Sequence, residues 1–261
     1  MVTGAGSGIG RGVALALARR GCHLALADVS EEGMAGTAGL ALPHGVRVTA
    51  HRLDVGDRDQ VADFPARVAA EHPRVDVLVN NAGVALGGTF ERVSEADFEW
   101  LFGINFWGVV RMTRAFLPLL RASDDARLVN VSSVFGLVAP AAHVPYAASK
   151  FAVRGFSEAL RHELEGSNVG VTVVHPGGVA TAIAEVARDP ADATEEEVRE
   201  RREHARKFLR LPPEVAGETI VRGVERRKAR VLVGADARAI SLLARVMPVS
   251  YWKAMKRGSG L

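Results

Sequence analysis

The sequence predicts an α/β fold, a doubly wound parallel sheet with helices on both faces (Rossmann-like), whose first strand looks truncated. Three observations carry this. Short apolar runs alternate with helical patterns along most of the 261 residues. A glycine-rich turn, Thr3-Gly4-Ala5-Gly6-Ser7-Gly8-Ile9-Gly10, stands between the first apolar residues and the first helix. No repeat or low-complexity linker divides the chain, so 1–261 reads as a single domain.

Only Met1 and Val2 precede Thr3, where roughly 5–6 residues are usual for a strand. Losing four or five buried aliphatic side chains would remove on the order of 6–15 kcal/mol. We therefore expect the coding sequence to extend upstream of Met1 by several apolar residues. A helix over 8–20 follows, then a buried strand over 22–28 that begins with Cys22 as a small core hydrophobe. Helices are expected over about 31–42 and 58–71, and strands over 46–51 and 75–80. A long helix, 95–121, opens with a Ser94/Asp97 capping box, and Pro118 bends or ends it. Strands over 127–132 and 169–175 flank a helix over 146–165. After a loop at 189–194 comes a charged helix, 195–210, with i,i+4 pairs Glu195–Arg199, Glu197–Arg201 and Glu203–Lys207. A helix over 213–225, a strand over 230–233 and a helix over 235–246 complete the pattern. Right-handed crossovers between parallel strands make the sheet doubly wound.

Composition narrows the function classes. With 48% hydrophobic and 24% charged residues, the chain is not disordered. The single cysteine excludes an internal disulfide and fits a reducing cytoplasm. No uncharged apolar run reaches about 18 residues, so no membrane span is expected. The start, Met1-Val2-Thr3-Gly4, has no basic region before an apolar stretch, so no signal peptide is expected. The histidines lack metal-ligand spacing: His162-Glu163 has no second histidine four residues on, so no metal site is expected. The segment 226–261 holds nine basic residues (Arg226, Arg227, Lys228, Arg230, Arg238, Arg245, Lys253, Lys256, Arg257) against Asp236. It carries +8 and leaves −5 for the rest. A solvated helix face is the preferred reading over contact with a membrane surface, and no nucleic-acid motif accompanies it. Trp100 and Trp107 read as core or interface.

Two groups of residues carry chemistry. Glycines at 4, 6, 8 and 10 let the backbone turn tightly and approach a pyrophosphate seated on the helix N-terminus. The spacing, T-G-x-x-x-G-x-G, is a variant of the usual dinucleotide fingerprint. Asp28 ends the next strand, where a carboxylate accepts hydrogen bonds from an adenosine ribose and repels a 2′-phosphate; a helix cap or turn is the alternative. The second group is Tyr146-Ala147-Ala148-Ser149-Lys150. Residues i and i+4 share a helix face, so the Lys150 ammonium is expected to lower the Tyr146 pKa. That would make an acid–base group usable near neutral pH. Ser132-Ser133 ends a strand, with Ser133 thirteen residues before the tyrosine.

Thr3–Gly10, Asn80-Asn81-Ala82-Gly83, Ser133, Tyr146-x-x-x-Lys150 and Pro176-Gly177 stand in the order and spacing of the short-chain dehydrogenase/reductase family, and the chain resembles that family over nearly its whole length. The resemblance implies that Tyr146 is the acid–base group. It also implies that Lys150 binds the nicotinamide ribose and depresses the tyrosine pKa, and that Ser133, rather than Ser132, bonds the substrate oxygen. Asn105, in an apolar helical run, would hold a water in a proton relay. Gly4, Ser7, Gly8, Ile9 and Gly10 would cradle the cofactor. Asp28 would take the adenosine ribose, and Asp54 with Val55 would contact adenine. Asn80, Asn81, Ala82 and Gly83 would shape the ribose side. Pro176, Gly177, Val179 and Thr181 would face the nicotinamide.

The expected function is hydride transfer between a nicotinamide cofactor, NAD rather than NADP, and a secondary alcohol or ketone. A non-catalytic dinucleotide-binding regulator is the alternative. Phe135, Leu137, Val138, Val144, Ile183 and Val186 suggest an apolar substrate, core packing being the competing reading, and no arginine stands near the motifs to clamp a carboxylate. A substrate lid is expected at about 183–211. The resemblance implies a homodimer or homotetramer.

Overall fold

The computed structural model describes residues 1–259. Gly260 and Leu261, the end of the expected span 1–261, and the side chain of Arg257 lie outside the description. In chain order the elements are β1 (Val2–Thr3), α1 (Gly8–Ala18), β2 (Leu24–Asp28), α2 (Glu31–Ala41), β3 (Val48–Arg52), α3 (Arg58–Glu71) and β4 (Val77–Asn80). Then come α4 (Glu95–Phe102), α5 (Gly108–Arg121), β5 (Ala126–Val131), α6 (Val144–Glu163) and β6 (Val169–Pro176). The last are α7 (Glu195–Phe208), α8 (Pro213–Glu225), β7 (Arg230–Val233), α9 (Ala235–Val246) and α10 (Tyr251–Ser259). The seven strands form one sheet in the order β3-β2-β1-β4-β5-β6-β7, every pair parallel. The strand order reverses between β1 and β4, which opens a crevice beyond their C-terminal ends.

Strand residues alternate between two cores, as period-2 geometry requires. Leu24, Leu26, Val79, Val129 and Val174 face a core shared with α1, α2 and α8. Ala25, Ala27, Leu78, Leu128 and Val171 face the other, shared with α3 and α5. On the first side α1 and α8 approach backbone to backbone, because a side chain on Gly12 or Gly217 would run into the opposite helix. β1 is short but fully engaged: Val2 pairs with Leu26 and Val79, and Val79 N–H donates to Met1 O at 2.9 Å.

Several local expectations need correction. Cys22 is exposed and lies outside β2, which begins at Leu24, so it is no core residue. At Ser94 only half of a capping box exists. The hydroxyl accepts from Asp97 N–H at 3.1 Å, but the Asp97 carboxylate takes the Ser94 hydroxyl proton at 2.7 Å instead of the backbone N–H. The reciprocal box is at Thr194 and Glu197. The long helix runs without interruption from Glu95 to Arg121 but passes through a π-helical turn, Gly103–Trp107, and Pro118 sits inside α5 without ending it. The i,i+4 pairs of α7 do not form. Glu197 pairs with Arg92, Arg201 with Asp189 and Arg199 with Glu196, because acids and bases from other turns and segments come closer. The sequence reading also stopped at Val246 and missed α10. Trp100 is neither buried core nor free surface, since the Arg188 guanidinium lies 3.5 Å over its ring. Among the described residues no helix is long and apolar enough to cross a membrane.

Candidate active site

The C-terminal ends of β5 and β6 and the first turns of α6 bring Ser133, Tyr146 and Lys150 together. Ser133 follows β5 in extended conformation, and its hydroxyl accepts from Phe135 N–H at 3.1 Å. Its carbonyl takes a 2.9 Å hydrogen bond from Nδ1 of His175, a fully buried side chain on β6. Burial holds the His175 pKa down at about 4, so the ring is neutral and Nδ1 carries the proton. Ser132 points elsewhere, and its hydroxyl donates to Lys150 O at 2.8 Å, which ties α6 to β5.

Tyr146 and Lys150 share a face of α6, with Nζ 5.6 Å from the phenol ring centre. Lys150 is buried, and Nζ donates to Val131 O at 3.2 Å. Contrary to the sequence expectation, the Tyr146 pKa is not lowered in the chain alone. Desolvation pushes it up to about 12, and the hydrogen bond from Ser133 offsets only part of that. Desolvation also lowers Lys150 to about 8. Both groups are driven toward their neutral forms, and at neutral pH the phenol keeps its proton.

Asn105 lies in the π-helical turn, fully buried. Its Oδ1 accepts from Val84 N–H at 2.8 Å, and its Nδ2 donates to Val84 O at 3.0 Å and to the Ser149 hydroxyl at 3.3 Å. Its side-chain amide is therefore bonded to the backbone after Gly83 and to Ser149. Gly83 is adjacent: a Cβ there would lie 3.1 Å from Asn105 Oδ1 and 3.4 Å from Lys150 Nζ.

The crevice at the switch point is built on the glycine turn. Gly4 has φ +62°, and a Cβ there would lie 2.8 Å from Asn81 Nδ2 and 2.9 Å from Ala82 Cα. Asn81 Nδ2 donates to Thr3 O and Gly4 O, and Thr3 Oγ1 accepts from both Asn81 and Ala82 N–H. Ser7 caps α1 with extended backbone and no side-chain bond, so the N–H groups there have no side-chain acceptor, as an anion site needs. Gly8 lies against Thr181, and Ile9 packs on the core. A groove of about 680 Å³ continues along Gly6, Ser7, Arg11, Asp28, Ser30 and Gly33. In it Asp28 accepts from Gly6 N–H at 2.8 Å and Ser30 N–H at 3.0 Å. An uncapped helix end beside a carboxylate-lined groove fits a dinucleotide.

Other residues expected at the site also carry packing or backbone contacts. Asn80 is buried and donates to Asn130 and Thr113, so it joins β4 to β5 and α5. Val55 packs on α5 at Gly108, and Val179 joins the core under α1. Asp54 closes its own turn by accepting from Gly56 N–H. Gly177 N–H extends the ladder by donating to Val233 O, one residue after Pro176 ends β6. Of the apolar candidates, Phe135 meets Tyr146 edge to face at 6.0 Å and Ile183 is half-buried, while Leu137 and Val138 are buried core and Val144 and Val186 are exposed. Residues 183–211 are pinned across to the segment after β4. Arg188 joins Leu86 in a parallel bridge and pairs with Asp97, and Arg92 pairs with Asp192 and Glu197. Arg201, bonded to Asp189 and Ala184 O, stands against Gly87 near this wall. Sequence reasoning also missed His175, Ser149 and Asp236, whose carboxylate accepts from Gly178 N–H at 2.6 Å. The first two stand beside Pro176-Gly177 and Lys150 in the sequence, which was the available signal; Asp236 had none.

Comparison with known proteins identifies the family. The family model for short chain dehydrogenase matches residues 1–192. SadH of Mycobacterium tuberculosis, a protein named as an oxidoreductase, is 44% identical over 261 residues, spanning 99% of this chain and 94% of its own. A short chain dehydrogenase/reductase from Burkholderia phymatum, solved in complex with NAD, superposes with a TM-score of 0.86 at 32% identity over 94% of this chain and 92% of that one. An alcohol dehydrogenase from Thermococcus sibiricus, complexed with 5-hydroxy-NADP, gives 0.76 at 27% identity over 89% and 94%.

Proposed function

The chain belongs to the short-chain dehydrogenase family and is a hydride-transfer oxidoreductase rather than a non-catalytic regulator, and on that premise we propose that it interconverts an apolar secondary alcohol and its ketone with Tyr146 moving the proton. The observation that carries this reading is the proton-bearing Tyr146 phenol, brought together with Ser133 and one helical turn from buried Lys150. The nicotinamide cofactor, when bound, supplies the hydride donor or acceptor. Ser133 holds the substrate oxygen beside the phenol. Tyr146 protonates a carbonyl oxygen, or takes the proton of an alcohol in reverse. Lys150 favours the phenolate as it forms, because an ammonium nearby stabilises the anion. Asn105 acts by fixing Val84, and through it Gly83, against this site.

The cofactor reading is NAD rather than NADP. Asp28 presents a carboxylate to the groove, and the one arginine lining it, Arg11, is committed to Thr37 Oγ1, Gly6 O and Gly33 O. Gly4, Ser7, Gly8, Ile9 and Gly10 take the pyrophosphate side, Asp54 the adenine side, Asn81, Ala82 and Gly83 the ribose side, and Pro176, Gly177 and Thr181 the nicotinamide side. We read 183–211 as the lid over the substrate, 1–261 as one domain, the cytoplasm as the compartment, and a dimer or tetramer as the working form. A panel of carbonyls and alcohols, assayed with NADH and NADPH in the reducing direction and with NAD and NADP in the oxidising one, tests the reading. Turnover of apolar secondary alcohols and ketones with NAD(H) is expected, and preference for a small charged hydroxy acid would reject the substrate class.

A further inference from the structure

The ion pairs that tie the surface together stop at Arg230 among the described residues. Beyond it Arg238, Arg245, Lys253 and Lys256 are all exposed, and among the described residues none forms an ion pair. The one acid of α9 and α10, Asp236, is held by Gly178 N–H. On α9 the outward positions Arg238, Ala239, Leu242, Arg245 and Val246 are spaced three and four apart and so share one face. Three aliphatic side chains lie bare along it and just past it: Leu242 is 64% exposed, Val246 70% and Val249 91%. A merely solvated helix would keep polar residues there. Apolar and cationic groups on the same outer face are instead the pattern of a helix that lies in a lipid interface.

We propose that the α9–α10 face docks on an anionic lipid bilayer, with Leu242, Val246 and Val249 entering the headgroup–acyl boundary and Arg238, Arg245, Lys253 and Lys256 against the acidic headgroups. Charge selects this occupant. A second copy would oppose the same four cations, whereas an anionic surface complements them. The position also makes sense of the substrate. α10 borders the site, since Tyr251 Oη accepts from Ala139 N–H at 3.0 Å, and α9 holds the loop after β6 through Asp236. A docked molecule would take an apolar alcohol or ketone from the membrane without a passage through water. That last use rests on the proposed apolar substrate, while the docking does not.

The test is co-sedimentation of the full chain with vesicles of phosphatidylcholine alone or mixed with phosphatidylglycerol, at low salt and at high salt. One lysine or arginine at such a surface is worth about fivefold in partitioning, so at least tenfold stronger binding to the anionic vesicles is expected, and high salt should remove most of it. The double variant Leu242→Glu/Val246→Glu should lose at least tenfold while keeping cofactor affinity and turnover of a water-soluble substrate. Equal binding to both vesicles, no binding, or a concentration-dependent oligomer abolished by the double variant would overturn the proposal. Loss of docking with apolar turnover intact would leave the substrate reading standing, and the reverse result would separate the two in the other direction.

Discussion

Replacing Lys150 with methionine should stabilise the cofactor-free protein at neutral pH while abolishing its turnover. Lys150 is 4% exposed, and burial lowers its pKa from 10.5 to about 8. Below pH 8 the lysine is charged in both folded and unfolded states, and the folded state bears a penalty of about 3 kcal/mol for the buried ammonium. Between pH 8 and 10.5 the unfolded chain binds more protons, so stability rises with pH across that window. Above it both states are neutral and the penalty is gone. Methionine keeps the volume and removes the charge, but it forfeits the bond from Nζ to Val131 O, worth about 1 kcal/mol. The net gain at pH 7 is then about 2 kcal/mol, or roughly 4–8 °C in Tm at the 2–4 °C per kcal/mol of a chain this large. Thermal unfolding of both proteins without cofactor, from pH 7 to 10, reads this directly. The two curves should converge as pH rises. Parallel profiles, or a variant less stable at every pH, would refute the reasoning that Lys150 is a charge buried at a cost to the fold for the sake of the site.

Asp28→Asn keeps the shape and one acceptor but removes the charge facing the adenosine groove, so the ratio of kcat/KM for NADH over NADPH should fall by roughly tenfold, the worth of about 1.4 kcal/mol. A wild-type enzyme that prefers NADPH tenfold would reject the cofactor reading outright. His175→Phe leaves the Ser133 carbonyl without its buried donor, and about 1–3 kcal/mol of stability should go with it in a urea titration, together with a fall in kcat larger than any change in cofactor affinity. Arg92→Ala cuts two exposed ion pairs that hold 183–211 across the cleft; stability should change by less than about 1 kcal/mol, and the substrate KM should rise.

Elements that own their start signals were legible in the sequence. α3 and α8 fall at the expected residues, since Asp57 caps the first and Pro213 opens the second. The strands were legible as apolar runs because both faces of the sheet are covered. The π-helical turn was not, because one extra residue in a turn leaves no periodic mark and Pro118 offered a louder but weaker cue. The partners of α7 were missed because pairing was sought within the helix, whereas Arg92 and Asp189 come from other segments. At the site, the motif residues Ser133, Tyr146 and Lys150 do converge. What the sequence could not convey is desolvation: an ammonium one turn away predicts a lower tyrosine pKa, but burial of both groups reverses the outcome in the chain alone. Asn80 and Asn81 illustrate the limit of adjacent letters, since strand alternation sends one into the core and the other to the glycine turn.

The central claim is that Tyr146 moves the proton, and the most direct measurement is turnover of Tyr146→Phe beside its affinity for NADH. The substitution keeps the ring against Phe135 and removes only the transferable proton. Turnover should fall by at least about 10²–10⁴, the range of a general acid–base group, while NADH binds as it does to the unaltered enzyme because the glycine turn and Lys150 remain. A phenylalanine variant with wild-type turnover would contradict the account.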